Sequence, residues 1–135
     1  MKKLIFIVLT MFSTSLYAEW IHITNSENGD VYFVDDERLK KIDGYIHFWL
    51  LRDFPKEDEF GDKSNKAYLQ LDCDYPRLRT LSFISNSESM GKGEVTTMKD
   101  FKEEDLEWIY PPPKSNFDLV ANFLCIAYTN DLFPE

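Results

Sequence analysis

Apolar and polar residues alternate with a period of two along much of the chain, which is the pattern of strands that bury one face. Residues 20–24 alternate in this way, and Asn28-Gly29 then gives a strong signal for a tight hairpin turn. Residues 30–35 predict the return strand. Residues 45–51 are apolar on both faces apart from His47, which predicts a strand near the middle of a sheet.

Further strands are predicted in the second half of the chain. Residues 67–74 alternate cleanly and place Cys73 on the same face as Leu69 and Leu71, so we expect this cysteine to point into the protein. Residues 78–84 and 94–98 predict two more strands.

The segments between these strands are polar. Residues 36–41 predict a polar connection, with a single helical turn as the alternative. Residues 53–65 contain Pro55, Gly61 and many acidic residues, and they predict the longest loop. Residues 86–93 predict a glycine-containing turn, and residues 99–107 are charged without a clear period.

The last apolar segment changes to a helical period. Ser115, followed three residues later by Asp118, has the form of a helix N-cap. Cys125 borders the apolar stripe that follows. Because residues 123–128 are almost continuously apolar, a strand is the competing interpretation, but the cap and the stripe favour a helix. The stripe consists of Phe117, Val120, Ala121, Leu124 and Tyr128.

Residues 1–18 have the form of a cleavable signal peptide, because Lys2 and Lys3 precede a short apolar run that ends near the small residue Ala18. The run is shorter than the roughly 20 apolar residues of a spanning helix. A buried N-terminal strand is the alternative. No cysteine follows the run, so we expect no lipoprotein anchor. Residues 19–135 are then one exported domain, in the periplasm or at the cell surface or secreted, with no transmembrane segment after cleavage.

The net charge of the chain is −9, and removal of Lys2 and Lys3 with the signal brings it to −11. Such a surface repels phosphate backbones and anionic lipid headgroups. We therefore expect no nucleic-acid partner.

The chain has two cysteines, Cys73 and Cys125, and export would place them in an oxidising compartment. An even count suggests one intramolecular disulfide, which would close a loop of about 50 residues and contribute roughly 3–4 kcal/mol. A metal pair or a catalytic thiol is the alternative, and the sequence lacks the cysteine spacing and the histidines that either would need.

No cofactor, metal or catalytic site is predicted. His22 and His47 have no carboxylate or thiol at ligand spacing. The acidic residues 35–37 lack the alternating oxygen ligands and the glycine of a calcium loop. Residues 90–93 contain the glycines of a phosphate loop without its strand and helix, so a hairpin turn is favoured. No nucleophile elbow is present, and we expect no enzyme.

An ordered set of segments covers most of the predicted mature chain: Val31–Asp35, the strand that contains Trp49, Lys66–Cys73, Arg77–Phe83, Met90–Gly93, and Pro112–Ser115 ahead of Cys125. In this order the segments resemble the surface-adhesin protein E family of Gram-negative bacteria. The resemblance implies an α+β fold, namely an antiparallel sheet of about six strands with a C-terminal helix packed on one face and tethered by a disulfide. Two features depart from the family: the absence of a lipid-attachment cysteine and the acidic character of residues 56–62.

The resemblance implies a non-catalytic binding protein, since characterised relatives bind host matrix and plasma proteins and can dimerise. We expect a protein partner, of which host extracellular matrix is one candidate, and a homodimer is one expected assembly. The competing hypothesis is a periplasmic envelope protein that acts as an inhibitor or chaperone of another exported protein. The candidate contact residues, which could instead serve only to keep the surface soluble, are Lys63, Lys66, Arg77, Arg79 and Lys92.

Overall fold

The computed structural model describes residues 20–130, which form one antiparallel sheet and one C-terminal helix. The sheet has seven strands in the order β1-β2-β4-β5-β6-β7, with the short β3 paired to β4 beside β2. This is the α+β class that the sequence predicts. The elements are β1 (Trp20–Asn25), β2 (Val31–Asp35), β3 (Lys40–Ile42), β4 (Tyr45–Asp53), β5 (Ser64–Asp72), β6 (Arg77–Asn86), β7 (Val95–Asp100) and α1 (Asn116–Thr129).

The predicted signal peptide falls within residues 1–19, which lie outside the described residues, as do residues 131–135. Within residues 20–130, no helix has the length and apolar character needed to cross a membrane.

The predicted connection over residues 36–41 is wrong for its last two residues, Lys40 and Lys41, which belong to the short strand β3. All three residues of β3 are exposed, and they pair with the start of β4. Asp43 and Gly44 join the two strands with φ of 53° and 83°, as expected for a tight hairpin turn. Because β3 buries no side chain, it leaves no alternating pattern in the sequence from which a strand could be predicted.

One face of the sheet packs against α1, and we call it the covered face. From the helix, Val120, Ala121, Leu124 and Ala127 are buried there. Removing these apolar side chains from water is the main force that holds helix and sheet together. The buried strand residues of this face are Tyr32, Val34, Ile46, Phe48, Leu50, Leu69, Leu71 and Leu78.

The helix that the sequence predicts is confirmed, and the competing strand over residues 123–128 is wrong. Ser115 is the N-cap, and its side chain accepts a hydrogen bond of 3.2 Å from the backbone N–H of Asp118. Of the predicted stripe, Phe117 remains 39% exposed, and Ala127 joins the buried residues instead.

The disulfide between Cys73 and Cys125 is confirmed, with a Cα–Cα distance of 5.7 Å. Cys73 follows directly after β5, and both cysteines pack against the core cluster. The bond therefore ties α1 to the end of a central strand of the sheet.

Candidate functional site

The second face of the sheet is not packed against α1, and we call it the open face. Residues paired directly across neighbouring strands share a face. Three cross-strand rows define the open face, and they are Leu51 with Lys66 and Ile84, Trp49 with Tyr68 and Ser82, and His47 with Gln70 and Arg79.

Two arginines of β6 stack on one tryptophan at one end of the open face. The guanidinium carbons of Arg77 and Arg79 lie 4.0 Å and 4.4 Å from the centre of the Trp108 ring. Both distances are within the range of cation–π interactions. We call Arg77, Arg79 and Trp108 the arginine cluster.

Backbone pairing holds Trp108 in place beside β6. Ile109 and Leu78 exchange two backbone hydrogen bonds of 2.7 Å and 2.9 Å, beyond the point where β7 stops pairing with β6. The segment before the prolines thus continues the edge of the sheet for a single residue pair, and it positions the ring over the arginines.

Polar side chains on β5 orient the two arginines. Arg77 Nε donates to Asp72 Oδ2 at 3.0 Å, and Arg79 Nε donates to Gln70 Oε1 at 2.5 Å. Asp72 and Gln70 are both buried. The guanidinium groups are therefore fixed from below by buried acceptors.

The same hydrogen-bond network continues to His47. Gln70 Nε2 lies 3.1 Å from His47 Nε2, and the His47 ring is 5.9 Å from the Tyr68 ring in an edge-on arrangement. Burial, and secondarily the positive charge of Arg79, lower the pKa of His47. A neutral imidazole at this position can accept a hydrogen bond from the Gln70 amide. Because it carries no charge, it does not repel the nearby guanidinium group of Arg79.

The other end of the open face contains a half-open groove with a volume of about 740 Å³. Its floor is formed by β4, β5 and β6, and its walls are formed by β1 with the β2–β3 connection on one side and the loop of residues 87–93 on the other. The residues that line it are Trp20, Asp35, Arg38, Trp49, Lys66, Ile84, Met90, Gly91, Lys92 and Gly93.

Side chains from β4 and β5 fasten the loop of residues 87–93 to the open face. The backbone N–H of Met90 donates to Asp53 Oδ1 at 2.8 Å, and that of Gly91 donates to Ser64 Oγ at 2.8 Å. Lys66 Nζ donates to the Gly91 carbonyl at 3.3 Å. These bonds make one wall of the groove part of the rigid sheet rather than a free loop.

A glycine is needed where this loop meets Lys66. Gly91 has φ of 69°, a conformation that other residues rarely adopt, and a Cβ there would lie 3.0 Å from the Lys66 side chain. The predicted turn at residues 90–93 is thus confirmed, and its glycine allows the Lys66 side chain to pass beneath the loop.

The groove contains one buried acid and a half-buried base. Asp35 is 1% exposed, accepts a 3.0 Å hydrogen bond from the backbone N–H of Glu37, and lies 3.7 Å from Arg38 Nε. Burial raises the pKa of Asp35. Burial, followed by the charge of Arg38, lowers the pKa of Lys66.

The five predicted contact residues occupy three places. Arg77 and Arg79 are in the arginine cluster, and Lys66 and Lys92 line the groove. Lys63 is exposed ahead of β5 and belongs to neither group.

Sequence reasoning did not identify the aromatic residues and the arginine that accompany these contacts, Trp20, Trp49, Trp108 and Arg38. The alternation of the strands could have identified two of them. Trp20 and Trp49 alternate with the core-facing residues of β1 and β4, so the pattern places both on the opposite face of the sheet. Trp108 and Arg38 lie outside the strands and gave no such signal.

The arrangement can bind anionic and apolar groups. Within residues 20–130, no group of three or more histidine, cysteine, aspartate or glutamate side chains is placed to hold a metal ion. The groups that converge on the open face are guanidinium, ammonium, amide and aromatic, which recognise ligands through charge, hydrogen bonds and stacking.

Comparison with known proteins places the fold. Two crystal structures of Haemophilus influenzae protein E resemble the chain. The first, of crystal form II, has a TM-score of 0.62 at 18% identity. The match covers 86% of this chain and 94% of the protein E chain. The second, from non-typeable Haemophilus influenzae, has a TM-score of 0.60 at 17% identity, with coverages of 90% and 85%. A sequence comparison with curated proteins finds no match. The profile of the surface-adhesin protein E family matches residues 20–126, and the chain therefore belongs to that family.

Proposed function

We propose that this protein is an exported, non-catalytic binding protein that recognises a protein partner, in the manner of a surface adhesin, through the open face of its sheet. Membership of the surface-adhesin family supports a binding role of this kind. Host extracellular matrix is the partner class that the family suggests, and a homodimer is compatible with the same role.

The observation that carries this proposal is the arginine cluster. Arginine and tryptophan are the residues most enriched at energetically important positions of protein interfaces. Here Arg77 and Arg79 are oriented by buried acceptors and stacked on Trp108. Such pre-ordering lowers the entropy lost on binding, because the side chains are already held in one conformation.

The overall charge makes this face distinctive. The predicted mature chain has a net charge of −11, yet the open face concentrates Arg77, Arg79, Lys66 and Arg38, of which Arg77 and Arg38 are paired with aspartates. A cationic area on an acidic domain orients an approaching partner, because the rest of the surface repels acidic surfaces.

Binding can be tested with the mature domain, residues 19–135, against a panel of purified matrix and plasma proteins at physiological salt. We expect saturable binding that Arg79→Glu weakens by about tenfold or more, since a hydrogen-bonded charge at an interface centre is reversed. The matched control is Lys56→Glu, which makes the same charge change in the exposed loop between β4 and β5. Circular dichroism verifies that both variants are folded.

Cell fractionation and N-terminal sequencing test the location. We expect a mature protein that begins at Glu19 without a lipid group. An acylated N-terminus, or retention of Met1, would contradict this part of the proposal. Exclusively periplasmic protein with no affinity for the panel would support the competing role as inhibitor or chaperone of another exported protein.

A further inference from the structure

We propose that the groove at the end of the open face binds an extended segment of a protein partner, in which one carboxylate side chain lies beside an aromatic or aliphatic side chain. The inference rests on the proposed binding function and assigns a partner chemistry to a part of the open face that is separate from the arginine cluster.

The charges that line the groove favour a carboxylate. Three basic residues, Arg38, Lys66 and Lys92, face one acid, Asp35. Asp35 is already compensated by a backbone N–H and by Arg38 at 3.7 Å. With Asp35 compensated in this way, the positive charge of Lys66 remains in the groove of a domain whose predicted mature charge is −11.

Lys66 is the central cation of this lining. Its side chain rises from the floor between Leu51 and Ile84, its paired neighbours on β4 and β6. Nζ donates a hydrogen bond to the Gly91 carbonyl at 3.3 Å, and an ammonium group can donate three such bonds. An incoming carboxylate would accept a hydrogen bond here and offset the repulsion between Lys66 and Arg38.

The apolar part of the lining favours a neighbouring aromatic or aliphatic side chain. Trp20 stands on the edge strand β1, while Trp49 lies on the central strand β4 and is steadied by the Tyr68 ring, whose centre is 5.0 Å away. Ile84 and Met90 complete the apolar surface. Large rings next to a charged group are the usual components of a peptide pocket.

The shape of the groove favours a peptide over a free small molecule. Sites for small ligands bury most of the ligand surface. This groove is half-open to solvent and extends from the sheet edge at β1 to the loop of residues 87–93. A segment of a longer chain does not need to be enclosed in this way. It can leave one side exposed to water while the rest of the partner continues beyond the groove.

Tryptophan fluorescence provides a direct reporter. The chain has three tryptophans, and Trp108→Phe leaves Trp20 and Trp49, both of which line the groove. The probe is an acetylated and amidated pentapeptide with glutamate between phenylalanine and leucine and glycine at each end. We expect a saturable change in emission, with affinity about tenfold lower when glutamine replaces the glutamate, because a charged hydrogen bond is lost.

Variants in the same background identify the cations. Lys66→Met should weaken binding of the glutamate peptide by about tenfold and abolish its advantage over the glutamine peptide. The control is Lys56→Met, the same change at an exposed position outside the groove, which should bind normally. Arg38→Gln changes a side chain that is 63% exposed, and should weaken binding severalfold without disturbing the loop that Lys66 holds.

Equal affinity for the two peptides, or normal binding by both Lys66→Met and Arg38→Gln, would overturn the inference. Tighter binding of a free acid such as 3-phenylpropionate than of the peptide would overturn it in favour of a small-ligand site. If the peptide does not bind but matrix binding is still weakened by Arg79→Glu, the groove proposal alone is refuted. If neither the peptide nor a matrix protein binds, the proposed function is refuted as well.

Discussion

The two faces of the sheet share the same strands but are built from different chemistry. On the covered face, Phe48 and Leu50 meet α1 and exclude water almost completely. On the open face, Trp49 and His47 alternate with them and meet aromatic and polar neighbours across the strands. Within β4, the residues that face α1 stabilise the fold, whereas the residues that alternate with them belong to the face that we propose for binding.

The open face is nevertheless ordered. Its arginines are held by Gln70 and Asp72, and its loop is held by Asp53, Ser64 and Lys66. Binding groups that are fixed in this way lose less entropy on association than flexible surface side chains. The covered face is thus ordered by apolar packing, whereas the arginines and the loop of the open face are ordered by hydrogen bonds.

The sharpest test of this contrast uses neighbouring residues of β4. Phe48→Ala should lower the free energy of unfolding by about 3–5 kcal/mol, because it leaves a cavity beneath α1. Trp49→Ala removes a larger ring from the open face and should cost only about 1–2 kcal/mol, mainly through loss of its Tyr68 contact. Urea denaturation of both variants measures the difference. Equal losses would mean that the open face forms a core of its own.

The disulfide provides a second test on the covered side. Cys125→Ala should lower the free energy of unfolding by about 2–5 kcal/mol, because the unfolded chain gains freedom when the link between β5 and α1 is lost. Reduction of the unmodified protein should reproduce most of this loss. Binding through the arginine cluster should persist wherever the variant remains folded, since Arg77 and Arg79 lie on the other face. Mass spectrometry of a non-reduced digest checks the linkage itself.

The covered face could be predicted from the sequence because burial leaves a periodic signal. Cys73 falls in register with Leu69 and Leu71, and the stripe that contains Leu124 follows a helical period. Ser115 predicted the start of the helix, and its hydrogen bond with the backbone N–H of Asp118 confirms that position. The strand β3 was not predicted, because none of its side chains is buried and its sequence therefore shows no alternation of apolar and polar residues.

The open face could be predicted only in part, because its sites combine residues that are distant in the sequence. Alternation placed Arg77 and Arg79 on one face, but nothing in the sequence indicated that Trp108 would stack on both. Lys66 could be named as a candidate, whereas its encounter with Arg38 and Trp20 depends on the order of strands in the sheet. Long-range assembly of this kind leaves no local pattern.

The smallest effect we predict concerns His47 and the dependence of stability on pH. Because burial and Arg79 lower the pKa of His47 below its ordinary value of 6.5, the unfolded chain takes up a proton more readily than the folded one. The contribution of His47 to stability is therefore complete above pH 6.5 and is lost as the pH falls from 6.5 towards the lowered pKa. Asp35 acts in the opposite direction, because its pKa is raised above 3.8 and the folded state gains a proton first as the pH falls.

Denaturation between pH 7.5 and pH 5.5 measures this loss, and His47→Gln should flatten the slope, since an amide can keep a hydrogen bond to Gln70 without taking up a proton. Asp43 and Arg79 are the charged groups that act on His47, and the variant leaves both unchanged. His22→Gln is the matched control, because it removes the other histidine, at an exposed position of β1, and its slope is compared directly with that of His47→Gln. A slope that survives His47→Gln would assign the acid sensitivity to carboxylates instead, and the imidazole would then be only a packing group beneath the arginine cluster.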